Sequence, residues 1–239
     1  MPPFLAYHAS PNQITAFDLR AVGSGSGAQA QGFGIYFAEA LDVVRTYRMP
    51  QGCAAHQRLI GEGDAIQKEG EQMGLRMAYD FDDHQEYFYG GNVPPDLQHR
   101  LSEYNRAFRG HIYEVRLEVD RNHLLLWDQP CRLQPEPVLI GFQSAALEST
   151  EMARALAGAL DRAVDGAGLY RALALASGEA KGSDREWANS PAARHVSDFL
   201  LRAGIDGVAY LDGYSRLSGQ GTSNFVIFDP SKAMIVREL

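Results

Sequence analysis

Residues 27–39 read "GAQAQGFGIYFAE", with Gly32 and Gly34 standing directly ahead of the bulky run Ile35-Tyr36-Phe37 and a Gly/Ser segment, "AVGSGSG", at 21–27 just upstream. Glycine in or beside a strand weakens it, so a pair here marks a place where another backbone or a ligand comes close. The upstream segment has the composition of a mobile loop. Downstream, "EALDVVRTYR" (39–48) repeats Ala40, Val43 or Val44, and Tyr47 at three- and four-residue steps. That spacing predicts a short helix that turns Tyr47 back toward Tyr36.

Working outward, "FLAYH" (4–8) is a short apolar run ahead of the Pro11-Asn12 turn, which predicts a buried strand with His8 near its C-terminal end. "GHIYEVRLEVDRNHLLLWD" alternates, with Tyr113, Val115, Leu117 and Val119 on one face, as in a half-buried strand. One helix is predicted from Thr150 through Met152, Leu156, Leu160 and Val164 to Gly166. Another opens on Ser190-Pro191 and stops at Gly204. Three strand-like runs close the chain, "GVAYLD" (207–212), "NFVIFD" (224–229) and "AMIVREL" (233–239). Strands at both ends with helices between predict an α+β fold, read as a single domain over 1–239. Residues 50–110, polar and punctuated by glycine, read as an insertion with some helix.

The 239 residues carry a net charge of -8, which argues against a broadly cationic nucleic-acid binder and leaves room only for local basic contacts. The two cysteines, Cys53 and Cys131, make neither a disulfide framework nor a paired-thiolate zinc site, so a reducing, cytoplasmic setting is expected. The first residues, "MPPFLAYHAS", show neither a basic leader nor a long apolar segment, and no membrane partner is expected. "GSGSGA" lacks the lysine and hydroxyl residue of a phosphate-binding loop. "DFDDH" (80–84) lacks the calcium-loop pattern and reads as a solvated face, so no metal is expected. His111, His123 and His195 stand alone and receive no role.

"YHAS" at the end of the first strand, "GFGIYFAE" with Tyr47 eleven residues after Tyr36, and "SNFVIFDPSKAMIV" near the end resemble the three blocks of ADP-ribosyltransferases of the diphtheria-toxin and poly(ADP-ribose) polymerase type. Together with "GHIYEVRLEVDRNHLLLWDQP" and "GIDGVAYLDGYSR", these blocks resemble the ADP-ribosyltransferase-like domain of bacterial and phage polyvalent proteins over nearly the whole chain. The resemblance implies split antiparallel sheets around a cleft for NAD as co-substrate, with peripheral helices. It further implies mono-ADP-ribosyl transfer to a macromolecular acceptor, protein or nucleic acid, with release of nicotinamide, and it is compatible with delivery into another cell as an effector.

By the same resemblance His8 orients a ribose hydroxyl. The main chain of Ala9 pairs with the nicotinamide carboxamide, and Ser10 either assists or caps the following turn. Gly34 allows close approach of the dinucleotide, while Tyr36 and Tyr47 sandwich the pyridinium, whose charge suits an aromatic face. Asn224 falls where catalytic relatives carry glutamate. An amide keeps a hydrogen bond there but supplies neither charge nor base, which favours a single transfer over chain elongation. Gln220 and Asp229, which flank this strand, and Glu39, which follows the tyrosine block, are the residues that could substitute for that glutamate. The alternative reading is a catalytically weak or inactive member of this fold that binds NAD, ADP-ribose or a partner.

Overall fold

A computed structural model describes residues 3–22, 30–45, 54–80, 85–162, 164–178, 190–213 and 221–239. Tyr47, Cys53, Gln220, the Gly/Ser run at 23–29 and residues 81–84 of the acidic stretch lie outside the described residues.

The fold is α+β. A seven-stranded sheet runs in the order β6-β7-β8-β2-β1-β5-β9, from strands β1 (Phe4–Ser10), β2 (Ile35–Ala38), β5 (His111–Leu117), β6 (Leu124–Leu126), β7 (Gly207–Leu211), β8 (Ser223–Ile227) and β9 (Ala233–Glu238). Its pairs are antiparallel except β6 with β7. The expected pair of separate antiparallel sheets is thus corrected to one mixed sheet that is nearly divided. β1 and β2 share a single register pair, Tyr7 with Ala38, whereas β1 pairs with β5 along its whole length. The termini meet as expected, because β1 and β9 flank the same strand, β5.

The alternating strand at 111–117 forms because every second residue has an apolar side to fill. Tyr113, Val115 and Leu117 are buried against Ala6, Ile35, Phe37, Phe225 and Ile227. Phe17, Ile14 and Leu19 cover this face from the segment after β1, and the Tyr113 hydroxyl fixes that segment by accepting from the Ile14 N–H at 2.8 Å.

The opposite face carries the helices. α4 (Glu136–Ala146), α5 (Glu151–Asp161), α6 (Gly166–Ala176) and α7 (Pro191–Arg202) bury Phe142, Leu156, Tyr170, Val196 and Phe199 together with Val208 and Val226 of the sheet. α7 begins as its sequence predicts, with Ser190 as cap and Pro191 in the first turn. The helix expected to continue from Thr150 to Gly166 is instead two helices. Thr150 caps the first, which ends at Asp161, and Asp165 caps the next by accepting from the Gly168 N–H at 2.7 Å. An added Cβ at Gly166 would lie 2.5 Å from the Leu126 carbonyl oxygen, so the new helix starts where only glycine fits against β6.

The insertion is more ordered than its polar composition suggests. α2 (Ala54–Gln72), the hairpin β3 (Arg76–Asp80) and β4 (Gln85–Tyr89), and α3 (Pro95–Arg109) enclose their own apolar cluster of Ile66, Leu75, Phe88, Leu97, Leu101 and Tyr104. Among the described residues no helix is long and apolar enough to cross a membrane.

Candidate functional site

The single Tyr7–Ala38 pair decides the local geometry. The Glu39 N–H donates to the Ser223 carbonyl, so the main chain at Glu39 faces β8 and that at Ala38 and Tyr36 faces β1. Where the ladder would continue, the His8 side chain intervenes. Its Nδ1–H donates to the Tyr36 carbonyl at 2.7 Å, taking the acceptor that the next main-chain pair would have used. The N–H and C=O of Ala9, two residues beyond Tyr7 and on the same side, therefore face the gap next to Tyr36.

His8 itself is wedged against Phe17 and Phe37, with ring centroids 5.1 and 5.7 Å away. Burial lowers its pKa, and the bond to the Tyr36 carbonyl opposes that shift only in part. The neutral tautomer that donates from Nδ1 leaves Nε2 as an acceptor, the form suited to a ligand hydroxyl.

Tyr36 lies on the helix-bearing face of the sheet. Its hydroxyl donates to the Gly32 carbonyl at 2.8 Å and accepts from the Gln31 N–H at 3.1 Å, pinning the loop ahead of β2. Burial, with the nearby Tyr210, raises its pKa well above the usual phenol value, so it stays a neutral donor. The same loop is tied to the helices: the Phe33 N–H donates to the Tyr170 hydroxyl and the Ser197 hydroxyl donates to the Phe33 carbonyl at 2.7 Å.

The two glycines meet this packing: of the two expected approaches, another backbone or a ligand, the described structure supplies the first at Gly34 and an aromatic ring at Gly32. A Cβ on Gly34 would stand 2.6 Å from the Ile227 carbonyl oxygen, and one on Gly32, which has φ of 108°, would stand 2.8 Å from the Tyr170 ring. The bodies that come close are β8 and Tyr170.

Ladder register sets the rest of the face. Ala38 pairs with Asn224 and Asn224 with Tyr210, so Tyr7, Ala38, Asn224 and Tyr210 form one row across four strands, and Tyr36, Val226 and Val208 form the next. Helix α1 (Leu41–Arg45) covers one flank of this face through Leu41, Val43 and Val44 against Ala38 and Tyr7. The α4–α7 layer covers the other flank over Val208 and Val226. Between these flanks lie Tyr36, Asn224 and Tyr210, the two tyrosine rings meeting edge to face with centroids 6.4 Å apart.

Asn224 is 5% exposed, and its buried Oδ1 finds no hydrogen-bond partner among the described residues. A buried amide oxygen in that state costs stability, so the position is not explained by packing alone.

Of the predicted site residues, the structure brings the His8 imidazole, the Ala9 main chain and the Tyr36 carbonyl together at the gap; the His8 ring lies on the Phe17 face of the sheet, whereas the Tyr36 ring and Asn224 lie on the helix-bearing face. Ser10 takes the turn role, its Oγ accepting from the Asn12 N–H at 3.1 Å. Glu39 is corrected as a source of charge. It lies on the opposite face, pairs with Arg121 at 2.8 Å and accepts from the Ser223 N–H, while the Arg121 guanidinium sits 4.2 Å over the Phe4 ring. Asp229 is corrected likewise: at the far end of β8 it caps the turn at Pro230–Lys232.

Tyr210 was missed by sequence reasoning, although the alternation Val208-Tyr210-Asp212 in "GVAYLD" carries the signal that all three share a face. Among the described residues no group of three or more His, Cys, Asp or Glu could hold a metal ion. No family model matches the chain, and no curated protein or solved structure does either.

Proposed function

We propose that the chain is an NAD-dependent mono-ADP-ribosyltransferase, which moves ADP-ribose to an acceptor and releases nicotinamide. The observation that carries this reading is the interrupted β1–β2 ladder. The His8 imidazole occupies the Tyr36 carbonyl and leaves the Ala9 main chain facing a gap beside the Tyr36 ring.

A carboxamide has one N–H donor and one C=O acceptor side by side, and a strand edge offers the complementary pair. Nicotinamide would bind there, with Tyr36 supplying an aromatic face. His8, held neutral on the Phe17 side of the gap, would accept a hydrogen bond from a ribose hydroxyl at Nε2 and so orient the dinucleotide across the gap. The Asn224 amide would reach the nicotinamide-side ribose, which gives its buried Oδ1 a partner in the bound state. Such contacts act by holding the ribose carbon open to the acceptor nucleophile as the bond to nicotinamide breaks.

Incubation with labelled NAD and a cell lysate tests this directly. Label should appear on acceptors, and nicotinamide release should exceed that of a His8→Ala, Tyr36→Ala double variant; equal release by the two proteins overturns the proposal. Mass spectrometry of the modified lysate identifies the acceptor and the linkage atom.

A second reading is favoured by Asn224, which places no charge in the row beside Tyr36: a module that binds NAD or ADP-ribose without turnover. Calorimetric NAD binding unaccompanied by nicotinamide release is the result that selects it.

A further inference from the structure

The two helices of the insertion enclose an open cleft of about 500 Å³, lined from α2 by Glu62 and Ile66 and from α3 by His99, Glu103, Tyr104 and Ala107. That size suits a small ligand or one long side chain. Tyr104 is 6% exposed, yet its hydroxyl has no hydrogen-bond partner among the described residues. A Cβ on Gly63 would stand 2.8 Å from that hydroxyl, so the phenol reaches from α3 to the α2 backbone at a place where only glycine admits it.

A second unpartnered oxygen lies beside it. The side-chain amide of Asn105, the residue after Tyr104, accepts from the Glu86 N–H at 2.8 Å and donates to the Glu86 carbonyl at 2.7 Å, which fixes β4 against α3. Register puts Glu86 on the same face of the hairpin as Met77 and Phe88, which pack into the apolar cluster of the insertion. Glu86 Oε2 is buried and finds no partner among the described residues. Asp64, next to Gly63 on α2, adds a further carboxylate, and among the described residues no lysine or arginine pairs with it or with Glu86. Burial and then Asp64 hold the Glu86 carboxyl above the usual range, while burial, then Glu86 and Asp64, push the Tyr104 phenol up to about 12.

We infer that this cleft binds a primary ammonium on an aliphatic stem, with the Tyr104 hydroxyl accepting one of its N–H groups, Glu86 and Asp64 as counter-charges, and Ile66 and Ala107 against the stem. An ammonium carries three donors and no acceptor, which matches a site whose uncommitted groups are carboxylate and phenol oxygens. An anionic ligand is disfavoured, because Arg100, the guanidinium in the lining, is already held by Glu69 at 2.6 Å. The same chemistry is offered by a free polyamine and by a lysine side chain of another protein. The inference is independent of the transferase reading, since no residue of the His8–Tyr36 gap lines the cleft.

Calorimetric titration of the full chain with spermidine, and with a blocked peptide bearing one lysine, tests this, the fully acetylated form of each probe serving as its neutral control. A cationic probe should bind with Kd below about 1 mM, and its acetylated form at least about tenfold more weakly. Glu86→Gln and Tyr104→Phe should each weaken binding at least about tenfold. Glu71→Gln, at an exposed position of α2, should leave it within about twofold.

Both site variants remove a buried group that has no partner, so each should melt no lower than wild type. If either fails to fold, Asp64→Asn, at an exposed position, takes its place and should weaken binding likewise. Binding of spermidine but not of the peptide names a free polyamine as the source, and binding of the peptide names a protein side chain; either result supports the ammonium site. Equal binding of the acetylated controls, an equal loss in Glu71→Gln, or no binding of either cation overturns it, and none of these outcomes bears on the transferase reading.

Discussion

His8 donates its Nδ1–H to the Tyr36 carbonyl at 2.7 Å, and that one bond both ends the β1–β2 ladder and fixes the imidazole tautomer. Burial lowers the His8 pKa from 6.5, so the folded protein resists protonating a group that the unfolded chain protonates readily. Between the lowered and the ordinary value the unfolded state holds more protons. The stability tied to neutral His8 is therefore complete above about pH 6.5 and is lost as pH falls below it. Thermal melts from about pH 7.5 to about pH 5.5 should show a steeper fall for wild type than for His8→Asn, which keeps a donor for the carbonyl and cannot titrate in that range. The other six histidines are common to both proteins and cancel in the comparison. Equal slopes would show that folded His8 takes up a proton at no cost.

Tyr36 has two separable parts. Its hydroxyl ties Gln31 and Gly32 to β2, and its ring lies on the helix-bearing face beside Tyr210. Tyr36→Phe removes the partner of two main-chain groups and should cost about 1–2 kcal/mol in denaturant melts. Because the ring remains, NAD affinity on the transferase reading should fall far less than in Tyr36→Ala. Identical affinities for the two variants would remove the ring from the binding site.

Gly34 and Gly61 should respond to the same substitution with opposite signs. An alanine Cβ at Gly34 meets the Ile227 carbonyl oxygen at 2.6 Å and Val226 Cγ1 at 2.7 Å, and a backbone oxygen inside a sheet cannot move aside cheaply. Gly34→Ala should destabilise by at least about 2 kcal/mol. At Gly61, in the interior of α2, a Cβ meets nothing within 4 Å, and Gly61→Ala should stabilise by about 0.5–1 kcal/mol through the helix propensity of alanine. Chemical denaturation of the two variants checks both; a neutral Gly34→Ala would show that β2 and β8 are not packed as tightly as described.

Much of the sheet was legible because its signals are local. Alternation through Tyr113, Val115 and Leu117, and the Ser190-Pro191 helix start, each depend on neighbours a few residues away, and both elements form as the sequence predicts. The break at Asp165-Gly166 was not legible, since apolar residues continue at helical spacing through Val164 and only contact with Leu126 forces a new start. The demand on Gly32 and Gly34 was legible as a close approach, but what approaches comes from residues about 140 to 190 positions later, which no local pattern reveals. For the same reason the committed bonds of Glu39 and Asp229 could not be read from their nearness in sequence to the candidate strands.

Asn224 separates a role in function from a role in folding. A position maintained for packing loses stability when truncated, because the removed atoms leave a cavity. Here the amide oxygen is buried with no partner among the described residues, so folding already bears the cost of desolvating it. Asn224→Ala removes that burden while opening a small void, two effects of opposite sign and each of about 1–2 kcal/mol. The variant should therefore melt within about 1 kcal/mol of wild type. On the transferase reading it should nonetheless release nicotinamide at least about tenfold more slowly, since the ribose loses a positioned hydrogen bond. Calorimetric or denaturant stability measured beside nicotinamide release on the same preparations checks the pair of outcomes. A large loss of stability would make Asn224 a packing residue whose oxygen finds a partner in the folded protein, and unchanged release at unchanged stability would remove it from the site.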